Sequence, residues 1–152
     1  MTPKQYVDEI CRPNVQEFVR EPTSVRRAWA ACVSLYHFVD YAAADQRMTV
    51  KSLSDKFAKG FSDFKKLEAV ANASKHFQID RNGPRKGLSS ANFKTGKGAA
   101  FSDGTYFSDG TTFTDACDVI RVEFDGEVID IVSLCRRGLA FIETQMAMAE
   151  RR

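Results

Sequence analysis

"AWAACVSLYHFVDYAAA", residues 28–44, holds one carboxylate, one imidazole and no lysine or arginine. Apolar side chains at helical spacing point in every direction around it. A helix of that kind is enclosed by other helices or lies in an oligomer interface. Ser24 suits an N-cap, so the reading predicts a central helix over about 25–45. Five helices would leave one side of it bare, which implies a homodimer.

The flanking segments read as helices that pack around this one. Residues 3–20 carry the stripe Tyr6, Val7, Ile10, then Val15, Phe18 and Val19. Pro13 cannot donate a helical hydrogen bond, and predicts a kink or restart there. A shorter helix is expected over 49–59, ended by Gly60. Residues 62–79 form an amphipathic helix starting at Ser62, with Phe64, Leu67, Val70, Ala71, Ser74 and Phe77 on one side. Lys65, Glu68, Asn72, Lys75 and His76 fall on the other.

Residues 80–118 are rich in Gly, Ser, Asp and Thr, show no helical period, and read as a loop insertion. Within them "FSDGTY" (101–106) and "FSDGTT" (107–112) repeat, followed by the decayed copy "FTDACD" (113–118). Ser-Asp-Gly favours tight turns or a short hairpin, since Asp bonds its own backbone and Gly takes positive φ. Asp103, Asp109 and Asp115 also admit a calcium reading, although a calcium-binding array needs more stacked copies than these. "VIRVEFDGEVIDIV" (119–132) is two strands joined by a type I′ turn at Asp125-Gly126. Phe124 then stands opposite Glu127, Val122 opposite Ile129, Ile120 opposite Ile131, and Arg121 opposite Asp130. A closing helix over about 135–150 would bury Cys135, Leu139, Ile142, Met146 and Ala149. The fold class is therefore mainly α: one domain over 1–152, a bundle of four to five helices with a β-hairpin at about 119–133 before the last helix.

A chain of 152 residues, 43% hydrophobic and 28% charged, has the composition of one globular domain with a real core. Its net charge of +2 excludes a polycation. The N-terminus "MTPKQYVDEI" lacks a signal-peptide core, and the uncharged run from Ala28 to Val39 falls short of the about 20 apolar residues that span a bilayer. A soluble cytoplasmic protein without membrane association is expected. Cys11, Cys32, Cys117 and Cys135 make no C-x-x-C pair, which argues against structural zinc and a thioredoxin-type motif. Cys11, Cys32 and Cys135 sit among apolar residues and are expected to pack as small hydrophobes. "TGKG" (95–98) lacks the first Gly and the Ser/Thr of a phosphate-binding loop, and no cofactor is expected.

Candidate site residues fall in three groups. His37, Asp40 and Tyr41 share one face of the central helix and form a polar cluster in an apolar segment, where they need partners. Asn72, Lys75 and His76 face away from the core of the helix that follows and would complete that cluster. His76 offers a proton donor or acceptor and Lys75 a positive charge. Together His37, Asp40 and His76 would offer two imidazoles and one carboxylate to iron or zinc; the alternative is a His–Asp pair that fixes helix packing. Arg81, Arg85 and Lys86 belong to a run with five basic residues and no acidic one between 81 and 102, a contact surface for phosphate or RNA or a solvated loop.

The order of an apolar helix ending "SLYHFVDY", then "VANASKHF", a variable insertion and a closing helix resembles the small bacterial helical bundles of the HEPN superfamily. That resemblance implies a dimeric, metal-independent ribonuclease with an R-x(4–6)-H motif in its groove. The arginine would stand at 69, 70 or 71, which are Ala69, Val70 and Ala71, so the motif is absent. The expectation is a non-catalytic binding or oligomerisation module with a protein partner. A ribonuclease using His76, Lys75 and Asn72, and a metal-binding bundle, are the alternatives.

Overall fold

The computed structural model describes residues 1–74, 93–97, 99–100, 106–108, 112–113, 118–124 and 126–149. In chain order these form α1 (Pro3–Tyr6), a π-helical turn (Val7–Cys11), α2 (Arg12–Arg20), α3 (Val25–Asp45), α4 (Val50–Gly60) and α5 (Asp63–Ala73). Six strands follow: β1 (Phe93–Lys97), β2 (Ala99–Ala100), β3 (Tyr106–Ser108), β4 (Thr112–Phe113), β5 (Asp118–Phe124) and β6 (Glu127–Asp130). Helix α6 (Ile131–Ala149) closes the fold.

Helix α3 is the axis. The Ser24 hydroxyl accepts the Arg27 amide at its start. No residue between Arg27 and Ala43 is exposed, and every other helix and the π turn pack on it. One face of α3, with Ala28, Ala31, Leu35, Phe38 and Ala42, is buried within the chain, while the stripe Val33, Tyr36, His37, Asp40 and Tyr41 is only half-buried. Small residues at Ala28, Ala31, Ala42 and Ala43 leave room for neighbouring backbones, while Leu35 and Phe38 fill the core with Phe18, Leu53, Phe57, Phe64 and Leu67.

Helix α3 ends without a glycine. Arg47 takes φ 52°, and the amides of Arg47 and Met48 bond Ala44 and Ala43 carbonyls at 3.3 and 2.9 Å. That pair of bonds is a Schellman closure with an arginine in the left-handed position.

The interruption expected at Pro13 takes an unexpected form. Helix α1 starts at a capping box between Thr2 and Gln5, and the chain runs into α2 through the π turn. The Arg12 amide bonds the Val7 carbonyl, five residues back. A proline ring presses on the carbonyl four residues earlier, and one wider turn just upstream accommodates it without ending the helix.

The hairpin has the predicted register: Arg121 opposite Asp130, Val122 opposite Ile129 and Phe124 opposite Glu127, with Gly126 at φ 79° in its turn. It is shorter than expected, because β6 stops at Asp130 and Ile131 and Val132 are already helical. Ile120 therefore has no partner in Ile131. Asp130 accepts the Ser133 amide at 3.0 Å, so it acts as the N-cap of α6 and ends the strand. On α6, Cys135, Gly138 and Ile142 are buried, Leu139 and Met146 are half-buried, and Ala149 is exposed, contrary to the expected stripe.

The segment read as a loop insertion with tight turns or a short hairpin contains antiparallel strands. Strand β1 pairs antiparallel with β5, from Phe93 opposite Val122 to Lys97 opposite Asp118, giving the sheet order β1-β5-β6. Phe93 meets Trp29 edge-on at 5.6 Å, so the sheet leans on the start of α3. A second small sheet, β2-β3-β4, sets Phe107 opposite Phe113 within the FSDGT repeat. The fold is mainly α, with antiparallel strands before the last helix. No helix among the described residues is long and apolar enough to cross a membrane.

Candidate functional site

The spacing 37, 40, 41, 44 places four residues on one stripe of α3, one turn apart. Helix α1 lies across that stripe and brings Tyr6 onto it. The rings of Tyr6 and Tyr41 stack at 4.0 Å with an interplanar angle of 19°. Tyr6, His37, Asp40, Tyr41 and Ala44 line an open groove of about 490 Å³. That volume falls in the range of ligand pockets.

Tyr6 is fixed from below. Its hydroxyl donates to the Ser34 carbonyl at 3.1 Å, and Cys11 Sγ reaches the same oxygen at 3.4 Å. Burial, then the neighbouring Cys11, Tyr41 and Asp40, push the Tyr6 pKa above its ordinary value. The phenol stays protonated and acts as a wall. Burial likewise pushes the Cys11 thiol up to about 12, which the Ser34 contact only partly offsets.

Above the rings, His37 Nδ1 lies 2.6 Å from Asp40 Oδ2. A carboxylate only accepts, so Nδ1 carries the proton and the ring orientation is set. The pair is partly buried: the His37 and Asp40 side chains are 34% and 45% exposed. It therefore presents charge and hydrogen-bonding capacity to solvent at the groove's edge, beside an aromatic wall. Tyr36, the next residue round the helix, points to α5 and reaches Glu68 Oε1 at 3.4 Å.

The groove gathers His37, Asp40 and Tyr41. Asn72 is not part of its lining; its Nδ2 atom is buried on α5 with no hydrogen-bond partner among the described residues. Lys75, His76, Arg81, Arg85 and Lys86 lie outside the described residues, as do Asp103, Asp109 and Asp115. No group of three or more metal-ligating side chains occurs among the described residues, and the metal set that included His76 extends beyond them. Ala69, Val70 and Ala71, where a catalytic arginine would stand, are all core residues of α5.

Sequence reasoning missed Tyr6 and Ala44 as lining residues. Ala44 follows His37 by two turns and was open to the same spacing argument. Tyr6 had only its place in an apolar stripe, which does not say which stripe of α3 it meets. The chain matches no family model, no curated protein and no solved structure, so the chemistry of the groove is argued from its own residues.

Proposed function

We propose that the chain is a non-catalytic binding module and that the groove between α1 and α3 receives a cationic group on an apolar stem, such as a lysine side chain of a partner protein. The observation that carries this reading is the Asp40 carboxylate beside the stacked Tyr6–Tyr41 pair in one concavity. Aromatic faces attract cations through their quadrupole, and a half-exposed carboxylate adds a charged acceptor. The stem would cover the rings while the head group meets Asp40.

The test uses n-butylammonium and butyrate as probes, followed through the ring resonances of His37 and Tyr41. Butylammonium is expected to give saturable shifts that Asp40→Asn removes while the fold persists, and butyrate to give none. Equal responses to both ions, or no saturation, would refute the reading.

The HEPN-like alternative places the activity at His76 and Lys75 with Asn72. Burial of all three positions open to the missing arginine favours binding over catalysis. Metal-free cutting of RNA that His76→Ala abolishes would reverse that preference. A homodimer would rest on the half-buried stripe of α3, and light scattering is the measurement that detects it.

A further inference from the structure

Cys32 on α3 and Cys135 on α6 meet in the middle of the bundle. Both are fully buried, and their sulfurs stand 3.5 Å apart although the residues are 103 positions apart in sequence. The meeting is a property of the helix seam. One turn further along each helix, Leu35 faces Gly138, where an added Cβ would lie 3.3 Å from Leu35 Cδ1 and 2.8 Å from Leu67 Cδ1. A side chain at Gly138 would have to displace the Leu67 and Leu35 side-chain ends, so the glycine keeps this part of the seam close-packed.

We propose that Cys32 and Cys135 form a reversible oxidation site, closing to a disulfide that ties the central helix to the C-terminal helix when a peroxide acts on the chain. The sulfurs must close from 3.5 Å to about 2.05 Å, a shift within reach of side-chain rotation and a small helix adjustment. In the reaction one thiolate attacks a peroxide oxygen and becomes a sulfenic acid as hydroxide leaves. The second sulfur then attacks the sulfenyl sulfur, the S–S bond forms, and another hydroxide leaves. The two thiol protons end on the hydroxides, so two thiols and one hydrogen peroxide give one disulfide and two waters.

The pair is slow to react while packed. Its contact with Cys32 and its burial hold the Cys135 thiol well above the ordinary cysteine range, so thiolate is scarce at neutral pH. Oxidation then proceeds through brief openings of the α3–α6 seam, faster at mildly alkaline pH and in low urea. Once formed, the bond closes a long loop and raises resistance to unfolding. It also fixes the helix that carries His37 and Asp40, about one to two turns beyond the crosslink.

The experiment treats the full chain with hydrogen peroxide, followed by intact mass and peptide mapping without reductant. The expected product is lighter by two hydrogens, joins the Cys32 and Cys135 peptides, reverts with dithiothreitol and unfolds at higher urea. Cys11→Ala still forms it and Cys135→Ala does not. Should that variant fail to fold, the map of the unsubstituted chain decides alone. Oxygen addition without crosslinking, or a bond that joins other cysteines, would overturn the proposal.

Discussion

At the scale of single residues, the groove depends on Tyr6 more than on the charged pair above it. The Tyr6 hydroxyl and the Cys11 thiol converge on one carbonyl, that of Ser34, and this fixes α1 on α3. Tyr6→Phe keeps the stacked ring and removes one hydrogen bond, so urea unfolding should show a loss of about 1 kcal/mol. An unchanged midpoint would mean that the stack alone holds the contact. The His37–Asp40 pairing was legible in the sequence because an i, i+3 spacing fixes it within one helix. Its exposure was not, because that depends on how far α1 covers α3. No local signal announces such tertiary packing, and the place of Asn72 on α5 escaped for the same reason.

At the scale of elements, the boundaries are decided by hydrogen bonds that compete. Asp130 could extend β6 opposite Arg121 or cap α6 through Ser133, and the structure has it do both at the junction. Asp130→Ala removes the cap and the cross-strand partner together, and should cost about 1–2 kcal/mol by denaturant unfolding. Asp130→Asn keeps a capping oxygen and should recover most of that loss. The alternation from Val119 to Ile129 made the hairpin legible down to its register, but alternation does not report where a capping side chain ends a strand. Strand β1 was invisible for a related reason. "FKTGK" has one apolar residue and a glycine, and forms a strand because β5 offers it an edge. At Pro13 the sequence marked the place of a disturbance, but a proline there is met equally by a break, a kink or a wider turn upstream.

Across the whole molecule, ion pairs tie elements that the core already brings together. Asp63 at the start of α5 meets Arg137 of α6 at 2.8 Å and Lys66 at 3.2 Å, and Lys66 reaches Glu127 of β6 at 2.7 Å. Partial burial raises the Asp63 pKa, but the bonds from Arg137 and Lys66 outweigh it and leave the carboxyl below its ordinary value. A carboxyl lowered in the folded state adds stability above its unfolded value of about 3.9, and that stability is lost as pH falls through the folded one. Stability measured from neutral pH into acid should therefore fall less steeply below about pH 4 in Asp63→Asn than in the unsubstituted chain. Parallel acid limbs would show that the network contributes nothing across that window.

The aromatic groove on the central helix, with the Asp40 carboxylate at its edge, is proposed to receive a cationic side chain. The most direct measurement compares a short peptide carrying one lysine with the same peptide acetylated at that lysine, each titrated into the protein by calorimetry. Acetylation removes the charge and keeps the stem. Saturable binding of the lysine peptide is expected, lost on acetylation and lost in Asp40→Asn. Equal binding of both peptides, or of neither, would contradict it.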